Sequence, residues 1–105
     1  MTALPGQVAH DLRAWVRFWD KRLCGDERKM LNHMNRAANA IEEAMLEPPA
    51  TRDRRKLKHL AQNLREHSRT VDHWQVVFGA TQLATSLWRA AACLDRLLSE
   101  VVSDD

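Results

Sequence analysis

Histidines, cysteines and a group of glutamates are the residues of this 105-residue chain that could do chemistry. No two of its five histidines are spaced as zinc ligands on one helix face, and Cys24 and Cys93 show no metal-binding spacing. We expect two reduced thiols that pack as small hydrophobes. Glu42, Glu43 and Glu47 cluster, but no second acidic motif completes a magnesium site. The sequence therefore predicts a protein that is not an enzyme and that holds no metal or other cofactor.

His33 stands in a more suggestive context than the other histidines. Arg36 follows it three positions later, and Ala37 and Ala38 come next. This arrangement resembles the histidine phosphotransfer motif, in which a histidine on a helix carries a phosphoryl group. The resemblance implies that Arg36 stabilises the phosphate and that the two alanines admit a receiver domain. Phosphotransfer at His33 is therefore one alternative function.

A block of positive charge occupies residues 52–69, where seven Lys or Arg stand against two Asp or Glu, although the whole chain carries only +2. Four of these cations follow helical steps of three and four residues, with Gln62 between them, and define what we call the basic face: Arg55, Lys58, Arg65 and Arg69. Such a face is either solvated or contacts the phosphates of a nucleic acid or an acidic protein. Nucleic-acid binding through the basic face is a second alternative function.

Three aromatic residues lie within about one turn of the first predicted helix. Trp15 and Trp19 fall on its apolar stripe, which favours packing in the core, whereas Phe18 lies to one side, beside Arg22. Trp and Arg are frequent among the residues that dominate protein interfaces. We therefore predict a partner-binding surface at Trp15, Phe18, Trp19 and Arg22. We expect Phe18→Ala to weaken binding without unfolding the protein.

The composition predicts an all-α fold, because 14 Ala and 13 Leu stand against 7 Val and 1 Ile. The chain has no uncharged apolar run of about 18 residues, and the charged residues within positions 1–25 lead us to expect no secretory leader. We expect a cytoplasmic protein, of bacterial source by composition. Residues 1–105 are expected to form a single domain, a small antiparallel bundle of three to four helices with a frayed tail at Ser103–Asp105.

Apolar residues at three- and four-residue steps predict the helices. The first runs from about Pro5 to Leu23, on a stripe that begins at Leu4, and a left-handed Gly25 ends it. The second begins with Asp26 as its N-cap and ends before Pro48. Its seam carries three methionines, namely Met30, Met34 and Met45. The third begins with Thr51 as its N-cap and Asp53 in its first turn.

Two alternatives remain for the boundary between the third and fourth helices. In one, the third helix continues to Phe78 and Gly79 forms the break. In the other, the polar run Ser68–Asp72 is the turn, with Asp72 as the next cap, and the fourth helix begins near Val71. The side chains of Trp74 and Phe78 favour the first alternative, and loop chemistry favours the second.

The last helix is apolar over about half of its circumference. The residues that could form either a dimer face or core are Leu83, Leu87, Trp88, Leu94 and Leu98. Because one small bundle cannot easily cover so wide a surface, we expect a homodimer. The small residues around Gly79 and Ala80 would let another helix approach closely.

These patterns together predict a small non-catalytic regulator that acts by binding another protein. An inhibitor or antiactivator of a transcription regulator is one example of this class. It would work by occlusion, covering the functional surface of its partner with an apolar and aromatic helix face, while the basic face steers acidic partners. The sequence gives no reason to expect a membrane partner.

Overall fold

The computed structural model describes residues 4–23, 25–73 and 79–102. Within these ranges the chain forms four α-helices and no strand, which confirms the predicted all-α bundle. The helices are α1 (Pro5–Trp19), α2 (Arg28–Leu46), α3 (Arg54–Asp72) and α4 (Ala80–Val102). The Cα radius of gyration is 13.7 Å, close to the value of about 13 Å for a folded domain of about 100 residues. None of the helices, as far as the chain is described, is long and apolar enough to cross a membrane.

The core lies where the apolar stripes of the four helices meet. Its largest fully buried side chains are Leu12, Met34, Ile41, Leu64, Val71, Leu83, Leu87 and Leu94. The chain itself therefore covers Leu83, Leu87 and Leu94, and Leu98 packs partly against the same core. Of the apolar set predicted on the last helix, Trp88 stays half-exposed, at 52%. Most of the surface that suggested a second copy is thus core.

Alanines let the helices approach one another closely. Ala37, Ala38, Ala40 and Ala44 of α2 are buried, as are Ala80, Ala84, Ala90 and Ala91 of α4. The distance between packed helices depends on the side chains at the contact, and a methyl group takes up little of it.

The end of α1 and the beginning of α2 differ from the prediction. α1 ends at Trp19 rather than Leu23. Beyond it the backbone N–H of Arg22 donates to the Trp19 carbonyl three residues earlier, the tighter step that often closes a helix end. Gly25 has the predicted left-handed conformation, with φ of +62°. The prediction of Asp26 as the N-cap is wrong, since Gly25–Glu27 forms a 3-10 turn and α2 begins at Arg28.

The predicted cap of the third helix is also wrong. Asp53 caps α3 by accepting a 3.1 Å hydrogen bond from the backbone N–H of Lys56. Thr51 instead closes the 3-10 turn Pro49–Thr51, where its hydroxyl donates to the Pro48 carbonyl at 2.9 Å.

The boundary between α3 and α4 follows parts of the first alternative. Ser68–Asp72 is helical, so the second alternative is wrong. α3 ends at Asp72, and Gly79 precedes α4 with φ of +84°. Residues 74–78, which include Trp74 and Phe78, lie outside the described residues, as do Cys24 and the predicted tail Ser103–Asp105.

Besides Trp88, two residues assigned to apolar stripes are exposed. Leu4 is 75% exposed because it precedes α1 as an extended cap residue. Met45, at 49%, lies at the edge of the bundle near Gly6 rather than in the seam with Met30 and Met34.

Candidate functional site

α1 and the beginning of α4 frame an open apolar groove of about 350 Å³. Ala14, Trp15 and Phe18 of α1 line one side, and Gly79 and Gln82 line the other. We call these five residues the aromatic groove. Trp15 and Phe18 are only partly buried, so parts of both rings remain available to a ligand. The groove contains two of the four residues predicted to bind a partner.

Edge-to-face contacts hold the rings in place. The centroid of Phe18 lies 5.5 Å from that of Trp15 and 5.3 Å from that of Trp19, within the usual range for aromatic pairs. The indole N–H of Trp15 also donates to the hydroxyl of Ser86 on α4 at 2.9 Å. Trp19 is only 3% exposed. The prediction that Trp19 contacts a partner is therefore corrected, since it supports Phe18 from within the core.

Gly79 brings the start of α4 against these rings. A Cβ atom at this position would lie 3.7 Å from Trp19, 3.8 Å from Trp15 and 3.9 Å from Phe18. The positive φ of Gly79 costs an L-residue free energy, but not glycine. The predicted close approach to the small residues here is made by α1 of the same chain.

Arg22 places a cation at the rim of the groove. Its guanidinium carbon lies 4.1 Å from the centroid of the Phe18 ring, a cation–π arrangement. The same guanidinium donates to the backbone carbonyl of Phe18, where the C-terminal dipole of α1 favours a positive charge. The side-by-side placement of Phe18 and Arg22 was predicted, and the structure confirms it.

The sequence did not point to the α4 side of the groove. Gln82 and Ser86 are polar residues on the outer side of an apolar helix, and nothing in their spacing marks them as neighbours of α1. Only the register of α1 against α4 shows this relationship. The predicted helix break at Gly79 was the one feature of the sequence that could have indicated a close approach here.

The basic face is less uniform than its spacing predicted. Arg65 is partly buried, pairs with Asp95 and lies with its guanidinium carbon 5.6 Å from the ring centroid of Trp88. Arg55, Lys58 and Arg69 are exposed. Because Arg65 interrupts the row with its own partner, the geometry favours a nucleic-acid contact less than the sequence did.

Arg52 belongs to the same charged block but is part of the structure of the bundle. Its side chain is only 7% exposed. It donates to the carbonyl of Ala44 at 2.8 Å, to the carbonyl of Leu97 at 3.0 Å and to the carboxylate of Glu100 at 2.6 Å. Arg52 therefore joins the end of α2 to the end of α4.

Two of the three clustered glutamates pair with neighbouring cations. Glu42 pairs with Arg13 of α1, whose hydrogen bond to the carboxylate lowers the pKa of Glu42. Glu43 pairs with Lys56 at 3.3 Å. Among the described residues, no group of three His, Cys, Asp or Glu side chains is arranged to hold a metal ion.

His33 lies against a second histidine. Its Nδ1 is 2.7 Å from Nε2 of His67 on α3, and both rings are partly buried. Ala37 and Ala38, the residues that the phosphotransfer resemblance assigns to a receiver domain, are fully buried. A receiver domain would therefore find no small-residue surface beside His33, and the geometry does not favour this function.

The chain contains one described cysteine, Cys93, and it is buried. Burial raises the pKa of its thiol, although Arg96 opposes the shift. A thiol that stays protonated in this way is a poor nucleophile.

No family model, curated protein or solved structure matches the chain.

Proposed function

We propose that the chain is a non-catalytic regulatory protein that binds another protein through the aromatic groove. The observation that carries the proposal is the pair of partly exposed rings, Trp15 and Phe18, held in fixed positions around an open apolar space. Rigid aromatic rings supply large apolar contact area at a low cost in conformational entropy, which is why they dominate protein interfaces.

The chemistry of the groove defines the partner. Its floor and walls suit an apolar side chain such as Leu or Phe projecting from a helix or strand of the partner. Arg22 at the rim suits a carboxylate next to that side chain. The proposed ligand is therefore an apolar side chain flanked by Asp or Glu on the surface of a protein. Binding would act by occlusion of that surface.

Gln82 offers a way to test the groove without disturbing the core. It is exposed and lines the groove, so Gln82→Trp would fill the space from outside. Arg96 is also exposed on α4, fourteen residues further along and about 21 Å away at 1.5 Å per residue. Arg96→Trp is the matched control, because it adds the same ring to the same helix.

The experiment is an affinity capture from nuclease-treated lysate with the wild type and both variants. We expect one protein to be retained by the wild type and Arg96→Trp and lost with Gln82→Trp. Weakening of the same complex by Arg22→Gln, but not by Arg17→Gln, would support the carboxylate contact. A protein retained equally by all variants would contradict the groove. Retention of nucleic acid alone, when nuclease is omitted, would favour the basic face.

The antiparallel order of the helices and a homodimer remain separate proposals. Lys56 near the start of α3 pairs with Glu43 near the end of α2. His67 near the end of α3 contacts His33 in the first half of α2. The two contacts together support an antiparallel arrangement of α2 and α3. The half-exposed indole of Trp88 is the main support for a dimer. Sedimentation equilibrium of the wild type and Trp88→Glu tests it, and a wild-type monomer would contradict it.

A further inference from the structure

Two histidines from different helices share one short polar contact. His33 lies in the first half of α2, His67 near the end of α3, and their facing nitrogens are 2.7 Å apart. The ring centroids are 5.0 Å apart, about as far as the nitrogen separation and the radii of the two rings allow. The nitrogens therefore lie nearly on the line between the rings, as in a direct N–H···N hydrogen bond.

This alignment distinguishes a hydrogen bond from a metal site. Imidazoles that share a metal ion direct their lone pairs at the ion, which requires a wider separation between the nitrogens. The described residues also supply no third ligand. The space between the rings fits one proton and no ion.

One proton on this line requires that at least one ring be neutral. A neutral imidazole has one donor nitrogen and one acceptor nitrogen, whereas a protonated ring has two donors. If both rings are protonated, two N–H groups point at each other and two positive charges meet at close range. The contact between α2 and α3 then becomes repulsive.

The surroundings oppose double protonation. Burial lowers the pKa of both rings from the ordinary 6.5, and each ring is further affected by charges on α2 and α3. Arg36 and Lys29 of α2 lower the pKa of His33, as does His59 of α3. Glu66 of α3 raises the pKa of both rings and offsets part of the effect.

We propose that His33 and His67 form a proton-sharing latch that holds α2 to α3 at neutral pH and is released by acid. The direction in which stability changes with pH follows from the linkage between proton binding and folding. Each folded ring binds a proton less readily than the unfolded ring, so the stabilisation is complete above the unfolded pKa. It is lost as the pH falls from that value through the lowered pKa of the folded rings. The pair titrates as a unit, because each ring changes the charge beside the other.

The direct test is NMR of the protein labelled with ¹⁵N-histidine. We expect a scalar coupling through the hydrogen bond between Nδ1 of His33 and Nε2 of His67 at neutral pH, and its loss in acid. Ordered rings without this coupling at neutral pH would overturn the latch, whatever the variants show.

Variants test the consequence for stability. Between about pH 7.5 and about pH 5, the melting temperature of the wild type should fall. In the double variant His33→Gln/His67→Gln, the fall should be smaller by several degrees, because glutamine keeps polar groups but does not titrate. His10→Gln, which removes an exposed histidine, should behave as the wild type does. An equal fall in the double variant would also overturn the proposal. If that variant fails to fold, the presence or absence of the scalar coupling in the wild type decides whether the latch exists.

Discussion

The indole N–H of Trp15 donates a 2.9 Å hydrogen bond to the hydroxyl of Ser86, a residue 71 positions away in the sequence. This bond joins α1 to α4 beside the aromatic groove and fixes the plane of the indole. The shape of the groove therefore depends on a polar residue that does not line it.

Ser86→Ala should reduce both stability and binding. The loss of this hydrogen bond is expected to lower the free energy of unfolding by about 0.5–1.5 kcal/mol, and the freed indole should bind a ligand less well. Thr85→Ala is the matched control, because the Thr85 hydroxyl donates to the Thr81 carbonyl of its own helix, at 3.0 Å, rather than to another helix. Urea unfolding and the indole N–H resonance of Trp15 measure the two effects. Equal changes in both variants would contradict the role of Ser86.

Gly79→Ala and Gly25→Ala separate backbone strain from groove shape. Both glycines have positive φ, so each substitution should cost about 1–2 kcal/mol of stability. Only at position 79 does the new methyl group meet the rings of Trp15 and Phe18, whereas a Cβ at Gly25 has nothing within 4 Å. We expect both variants to unfold at lower urea concentration and only Gly79→Ala to bind the partner differently. Identical binding by the two variants would argue against the groove.

Phe18→Ala should affect folding as well as binding. The sequence predicted a pure binding defect, but the ring packs against Trp15, Trp19 and the core. Because it is partly buried, we expect a loss of about 1–3 kcal/mol, below the range for a fully buried phenylalanine. Circular dichroism should still show a helical protein at 25 °C. A fully unfolded variant would mean that the main role of Phe18 is to stabilise the core rather than to bind a partner.

Arg52→Ala should be the most destabilising change among the cations of residues 52–69. It leaves the carbonyls of Ala44 and Leu97 and the carboxylate of Glu100 without this guanidinium. We expect a loss of about 2–4 kcal/mol in the free energy of unfolding. Arg55→Ala, at an exposed site three residues away, should change it by no more than about 0.5 kcal/mol. Chemical denaturation compares the two, and similar values would show that Arg52 does not act as described.

The apolar periodicity was sufficient to predict the helices and most of the core. Leu83, Leu87 and Leu94 are fully buried because residues at these steps share one face of α4. The same stripe assigned Trp88 to a face that forms either a dimer contact or core. In the structure Trp88 is half-exposed, since an arc of half a helix is wider than its neighbours can cover. Helix ends were less predictable. Thr51 and Asp53 are both good caps two residues apart, and only the turn after Pro48 selects Asp53.

Contacts between helices could not be predicted from periodicity. A repeat of three and four residues gives the face of one helix but not its register against another. For this reason the sequence placed Arg52 only within a block of positive charge, and His33 was interpreted without His67. The aromatic groove shows the same limit of prediction from periodicity. Phe18 and Arg22 are one turn apart on the chain and were correctly predicted to be neighbours. Gln82 comes from another helix and was not predicted to line the groove.

The buried alanines of α2 and α4 have a consequence for the entropy of folding. An alanine side chain has no rotamer freedom to lose, whereas a buried leucine loses about 0.5–1 kcal/mol of it. The eight alanines therefore bring these helices into the core at the cost of backbone order alone. Each also contributes less apolar area than a leucine would. Each buried alanine thus adds little hydrophobic stabilisation and loses little side-chain entropy. The larger side chains of the core therefore determine most of the free energy of folding.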